Sequence, residues 1–113
     1  MLSYRHSKFN SIKKIMLTRD QILYLKSNAH ELKPVVIIGQ KGITDSVIDE
    51  IKSSLDHHEL LKVKVNGANK DNRDEAAAEL CRLTGAEFVQ MLGNVLTLFK
   101  QKKKDSKFVL PKH

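Results

Sequence analysis

The sequence predicts an α/β domain with the element order α-β-α-β-α-β-β and a mixed four-stranded sheet. Three observations carry that prediction. Apolar residues recur at helical spacing in three segments, and two short runs between them are β-branched or alternate with period two. The stretch from Ala86 to Lys100 then reads as a hairpin about Gly93-Asn94. Successive β-α-β crossovers imply parallel pairing, and the closing hairpin adds an antiparallel strand.

Each element has a local cause. Thr18-Arg19-Asp20-Gln21 fits a capping box, with Thr18 as N-cap and Gln21 reaching back. Ile22, Leu25, Ala29 and Leu32 follow at helical spacing, so a first helix is expected from about Arg19 to His30. Pro34 stops it and opens the β-branched run Val35 to Ile38, read as a buried strand. Beyond the Gly39-Gln40-Lys41-Gly42 turn, Thr44 caps a second helix with Val47, Ile48, Ile51 and Leu55 on one stripe. Leu61-Lys62-Val63-Lys64-Val65 alternates, which describes a strand with one buried face and one basic face. Asn66-Gly67 breaks it. Asp71 is expected to cap a third helix presenting Ala76, Ala77, Leu80 and Cys81, with Gly85 closing it.

The helical stripes need the sheet for burial. With all three helices on one face, the other stays open to solvent. Lys62 and Lys64 project onto that open face, and alternation allows Phe88 and Phe99 to add aromatic surface there. Cations interleaved with aromatics on a sheet suit unpaired bases and their backbone, although each residue taken singly fits a plainly solvated sheet face at least as well.

A chain of 113 residues is expected to form one domain with a modest core. The net charge is +7, and its placement matters more than its size. Arg5, Lys8, Lys13 and Lys14 lie in an acid-free stretch before Met16, itself a candidate alternative start. Lys100, Lys102, Lys103, Lys104, Lys107 and Lys112 face a single acid, Asp105, at the other end. The boundaries expected are a basic extension over 1–15, a folded body over 16–100 and a basic tail over 101–113. Such tails suit a polyanion, with solubilising ends as the equal alternative, and neither offers the amphipathic helix or lipidation motif a membrane would require. A single cysteine, Cys81, excludes an internal disulfide and multi-cysteine zinc motifs, and its helical stripe makes it a core side chain. No run reaches transmembrane length, and the amino-terminal stretch lacks the apolar segment of a secretory signal. The cytoplasm is the compartment expected.

The most informative segment is Pro34 to Thr44. A buried strand that passes through two glycines onto a helix N-terminus turns backbone N–H groups outward, and the helix dipole favours negative charge there. Lys41 adds a cation between the glycines. The expected ligand is a nucleic-acid backbone, held by Gly39, Gln40, Lys41 and Gly42. Taken alone, the two glycines would also serve a turn and nothing more. Lys26, His30 and Lys33 recur toward the end of the first helix as an adjacent basic edge, although His30 suits a cap on that helix equally well. His57-His58-Glu59 has no third ligand nearby and fits a helix C-terminus better than a metal site. No residue combination suggests catalysis: there is no Walker lysine-threonine pair, nucleophile elbow or acid–base pair. No cofactor is expected.

In this order and spacing the chain resembles the CRM family (chloroplast RNA splicing and ribosome maturation), above all its free-standing bacterial YhbY-like members. The resemblance covers roughly Leu17 to Lys100. It rests on Leu25…Ala29-His30…Leu32-Lys33-Pro34, on Gly39-Gln40-Lys41-Gly42 and on His57-His58-Glu59-Leu60-Leu61-Lys62-Val63-Lys64. Thr84-Gly85-Ala86 and Val89-Gln90…Gly93 complete it. The family implies a two-layer sandwich with three helices on one face of the sheet, similar to the C-terminal domain of the third bacterial translation initiation factor. It also implies RNA as partner, within precursors of the large ribosomal subunit; a monomer is the default expectation, and the residues give no sign of an enzyme. The site residues it implies are Gly39, Gln40, Lys41 and Gly42; Lys26, His30, Lys33, Lys62 and Lys64 join them as RNA-binding candidates from the placement of charge, and Lys100 from its position after the last strand. The alternative is a module docking on ribosomal proteins. Two departures concern the last hairpin: Lys100 follows Phe99 where relatives often have arginine, and Asn94 follows Gly93 where they often have lysine.

Overall fold

A computed structural model describes residues 17–67 and 69–111. The basic extension over 1–15, Met16 and Lys112 lie outside the described residues. The elements are α1 (Arg19–Ala29), β1 (Pro34–Ile38), α2 (Asp45–His58), β2 (Leu60–Val65), α3 (Lys70–Thr84), β3 (Glu87–Leu92) and β4 (Val95–Phe99). The sheet order is β1-β2-β4-β3. β1 and β2 are parallel, and β4 pairs antiparallel with both β2 and β3. Element order, mixed sheet and helix number are those the sequence predicts.

The caps follow their side chains. Thr18 and Gln21 form the reciprocal box, with the Thr18 amide donating to Gln21 Oε1 at 2.9 Å and the Gln21 amide to Thr18 Oγ1 at 3.1 Å. Thr44 Oγ1 accepts from the Val47 amide at the start of α2. The third helix begins earlier than expected: Asn69, not Asp71, is its N-cap, its Oδ1 accepting from the Asn72 amide at 2.9 Å. Asp71 sits one step inside, where a carboxylate still favours the dipole. Gly85 ends α3 in the left-handed region at φ +76°, as expected of a C-terminal glycine.

The helix layers differ from the prediction. Leu61, Val63, Leu96 and Leu98 point into a main core shared with Ile51 and Leu55 of α2 and with Leu80 and Cys81 of α3. Leu60 and Phe99, whose side chains alternate with these, join Val89 in a second core with Leu25 and Ala29 of α1. So α2 and α3 cover one face, and α1 crosses the foot of the opposite face, the one bearing Lys62 and Lys64. The stripe of α1 gives no clue to this, because an apolar stripe fits either side of a sheet equally well.

Both phenylalanines expected on the open face are corrected as well. Phe88 packs against the main core and Phe99 is fully buried beneath α1. A β-bulge between Phe88 and Gln90 turns Phe88 inward, a shift of register that no simple alternation anticipates.

Residues 101–111 have no regular structure but dock on the body. Phe108 and Leu110 pack on the second core, and the Phe108 ring meets Phe99 edge-on with centroids 5.6 Å apart. Gln21 Nε2 donates to the Pro111 carbonyl at 2.7 Å. The principal anchor is Glu59, wholly buried, in the left-handed region at φ 64° between α2 and β2. Its Oε1 accepts from the Lys102 amide at 3.0 Å and from Ser106 Oγ at 2.5 Å, and its Oε2 accepts from the Lys107 amide at 2.7 Å. Burial pushes its carboxyl up, but the bonds from Ser106, Lys102 and Lys107 and the Lys102 charge outweigh that and hold it below 4.5.

Candidate nucleic-acid interface

The strand order puts the glycine loop at the head of the sheet, beside the Asn66-Gly67 turn. The loop closes on itself, the Gly42 amide donating to the Gly39 carbonyl at 3.0 Å. Gly42 has φ +74°, so an L side chain there is strained, whereas Cβ atoms at Gly39 and Gly42 would meet open space. Gly39, Gln40 and Lys41 are exposed. Among the described residues, the amides of Gln40 and Lys41 are not hydrogen-bonded, nor are those of Asp45 and Ser46 at the start of α2. The acids of α2 nearest the loop, Asp45, Asp49 and Glu50, are all exposed.

Lys62 and Lys64 are half-buried on the face opposite the main core. At the level of Lys64, cross-strand pairing aligns Ile37, Lys64, Val95 and Leu92 in one row. Ile37 and Leu92 are 59% and 71% exposed, so this row is aliphatic around one cation rather than aromatic. One level lower, Thr97 lies between Lys62 and Gln90, buried and with its Oγ1 unpartnered among the described residues. At the foot, Lys26 lies in the last turn of α1, and His30 is its C-cap. Lys33 leads into Pro34, about 13 Å of strand below the loop. Placing α1 on this face therefore puts all three on the same side as Lys62 and Lys64.

Lys100 stands apart. Its Nζ donates to the Thr84 carbonyl at 3.2 Å, so its charge is set against the C-terminus of α3. His57 is likewise engaged at a helix end, Nδ1 donating to the Ser53 carbonyl at 2.8 Å.

A cleft of about 710 Å³ lies between the glycine loop and α3. Asn72, Glu75, Glu79 and Arg82 line it from one face of the helix, opposite Gly39 and Gly42. Reasoning from sequence missed these residues. Their three- and four-residue spacing places them together on α3, but only the fold sets that face against the loop.

This geometry coincides with a shared sequence pattern, since residues 17–100 match the CRS1 / YhbY (CRM) domain. The chain belongs to the CRS1 / YhbY family. It is 40% identical over 96 residues to an "RNA-binding protein" of Haemophilus influenzae, an alignment spanning 85% of this chain and 96% of that one. It is 33% identical to the "Probable RNA-binding protein YqeI" of Bacillus subtilis, across 85% of this chain and all of that one. Among solved structures, this CRM domain superposes on protein SAV1595 of Staphylococcus aureus with a TM-score of 0.76. The two are 36% identical, and the match covers 85% of this chain and 100% of that one. No helix among the described residues of this CRM domain is long and apolar enough to cross a membrane.

Proposed function

We propose that the protein binds RNA, with the backbone laid over the glycine loop and along the face that carries Lys64, Lys62 and the basic end of α1. One observation supports this above the others: exposed, unbonded amides at a helix N-terminus, with Lys41 beside them, head a side of the molecule that gathers further cations. Backbone contacts of this kind position a strand without reading its sequence. The relatives named for RNA binding favour the same ligand, and the family resemblance favours ribosomal RNA in precursors of the large subunit. The protein acts in the cytoplasm as a monomer, without cofactor or catalysis.

Fluorescence anisotropy with single-stranded ribosomal RNA fragments tests the reading. Lys41→Glu should weaken binding severalfold and shrink the slope of log K against log salt by about 0.7, the share of one phosphate. Urea unfolding should not change, because Lys41 is exposed. Lys41→Ala with Gly42→Asp should weaken binding further, at a stability cost of about 1 kcal/mol for a side chain in the left-handed region. A folded Lys41→Glu variant with unaltered affinity and slope removes the loop from the interface.

The second reading, docking on a ribosomal protein, is favoured by the exposed Val35 and Ile37 on edge strand β1. Binding that is insensitive to salt and abolished by Ile37→Glu would select it.

A further inference from the structure

We propose that the cleft between the glycine loop and α3 receives the base of an unpaired nucleotide, and that Glu75 selects bases carrying an exocyclic amino group over uracil. This rests on the RNA-binding reading and assigns to the same site a chemical preference.

The cleft is continuous with the loop, because Gly39, Gln40 and Gly42 belong to its wall. A phosphate on the loop amides therefore leaves its nucleoside at the mouth of the cleft. Half-buried Ile43 and Ala76 supply apolar surface for the flat face of a base, over a floor formed by the buried Ile38 and Val65. The cleft is open to solvent, and its volume of about 710 Å³ leaves room for one base. A polar edge runs along α3. Glu79 is occupied, its carboxylate taking Arg82 Nη2 at 2.6 Å and Nε at 3.2 Å. The Glu75 carboxylate, one turn back, makes no hydrogen bond among the described residues, and Asn72 beside it uses its backbone amide for the cap and leaves its side chain unbonded.

Charge fixes which end of a nucleotide enters. With Glu79 neutralised by Arg82, the unpaired Glu75 carboxylate repels a phosphate, so the backbone stays on the loop and the base turns inward. A carboxylate is an acceptor only. It therefore accepts from the N4 amino group of cytosine or the N6 amino group of adenine, as in groove readout. Uracil presents the O4 acceptor at the corresponding position, and two acceptors facing each other repel and forgo the bond that an amino group makes.

Cytosine and uracil octamers separate these cases, with the full chain titrated by fluorescence anisotropy at one salt concentration. The wild type should hold oligocytidine on the order of tenfold tighter than oligouridine. Glu75→Leu should bring that ratio to about one, whatever happens to the absolute affinities, and Glu75→Asp should retain part of it. Glu75 is exposed, so both variants should unfold at the wild-type temperature. Salt-dependent binding without preference in the wild type overturns the cleft assignment and leaves the loop reading intact. So does a preference that survives in Glu75→Leu. Failure to bind either octamer, or ribosomal RNA fragments, overturns the RNA reading itself.

Discussion

Replacing Glu59 should detach the carboxy-terminal segment from the body. Three donors converge on its carboxylate, and hydrogen bonds to a charged acceptor contribute about 1.5 to 3 kcal/mol each while they are sheltered. The sum is not realised, because the segment can peel away and return its amides to water. What then disappears is its docking: half-buried Phe108 and Leu110, roughly 1 kcal/mol each, and an edge-on ring pair worth about 1 kcal/mol. Glu59→Ala should thus cost about 3 kcal/mol. Glu59→Gln keeps one acceptor and should cost about half that. Glu59→Gly should fall between, since glycine relieves roughly 1 kcal/mol of strain at φ 64°. Urea unfolding at pH 7 gives these differences, with limited trypsin cleavage at Lys103 and Lys104 reporting release of the segment. Acid provides a second check with a definite sign. The folded carboxyl titrates below 4.5, so its contribution is complete above that value and fades as pH falls through the folded pKa. The stability gap between wild type and Glu59→Gln should narrow between pH 7 and pH 3. Equal stability of all four proteins at pH 7, with the segment still protected, would refute the reasoning.

Other substitutions test single interactions. Gly85→Ala should lower stability by about 1 to 2 kcal/mol in thermal unfolding, because φ is +76° and the new Cβ would lie 3.3 Å from Lys100 Nζ. Thr97→Val should be neutral or stabilising by up to about 1 kcal/mol, since its buried hydroxyl has no partner among the described residues. Lys103→Gln with Lys104→Gln should reduce the salt slope of RNA binding at unchanged unfolding temperature, as both side chains are exposed. Deleting residues 101–113 should instead lower that temperature, because Phe108 and Leu110 go with them.

The order of elements was legible in local chemistry. The Thr18–Gln21 box, Pro34, Gly85 and the alternation of Leu61 to Val65 each act within a few residues, so the sequence alone set these boundaries, while the start of α3 was misplaced by two residues because Asn69 and Asp71 are both good caps. The glycine loop was legible for the same reason. Three things needed the tertiary structure. The face chosen by α1 depends on whether Leu25 and Ala29 meet Leu60 and Phe99 or the opposite side of the sheet, a choice between partners some 30 residues or more away. Glu59 carries no local sign of its role, because its donors arrive more than 40 residues later. The cleft exists only where Asn72 and Glu75 on α3 come to face the loop after β1. Backbone preferences and capping are decided by neighbours in the chain, whereas burial, convergent hydrogen bonds and cavities are decided by neighbours in space.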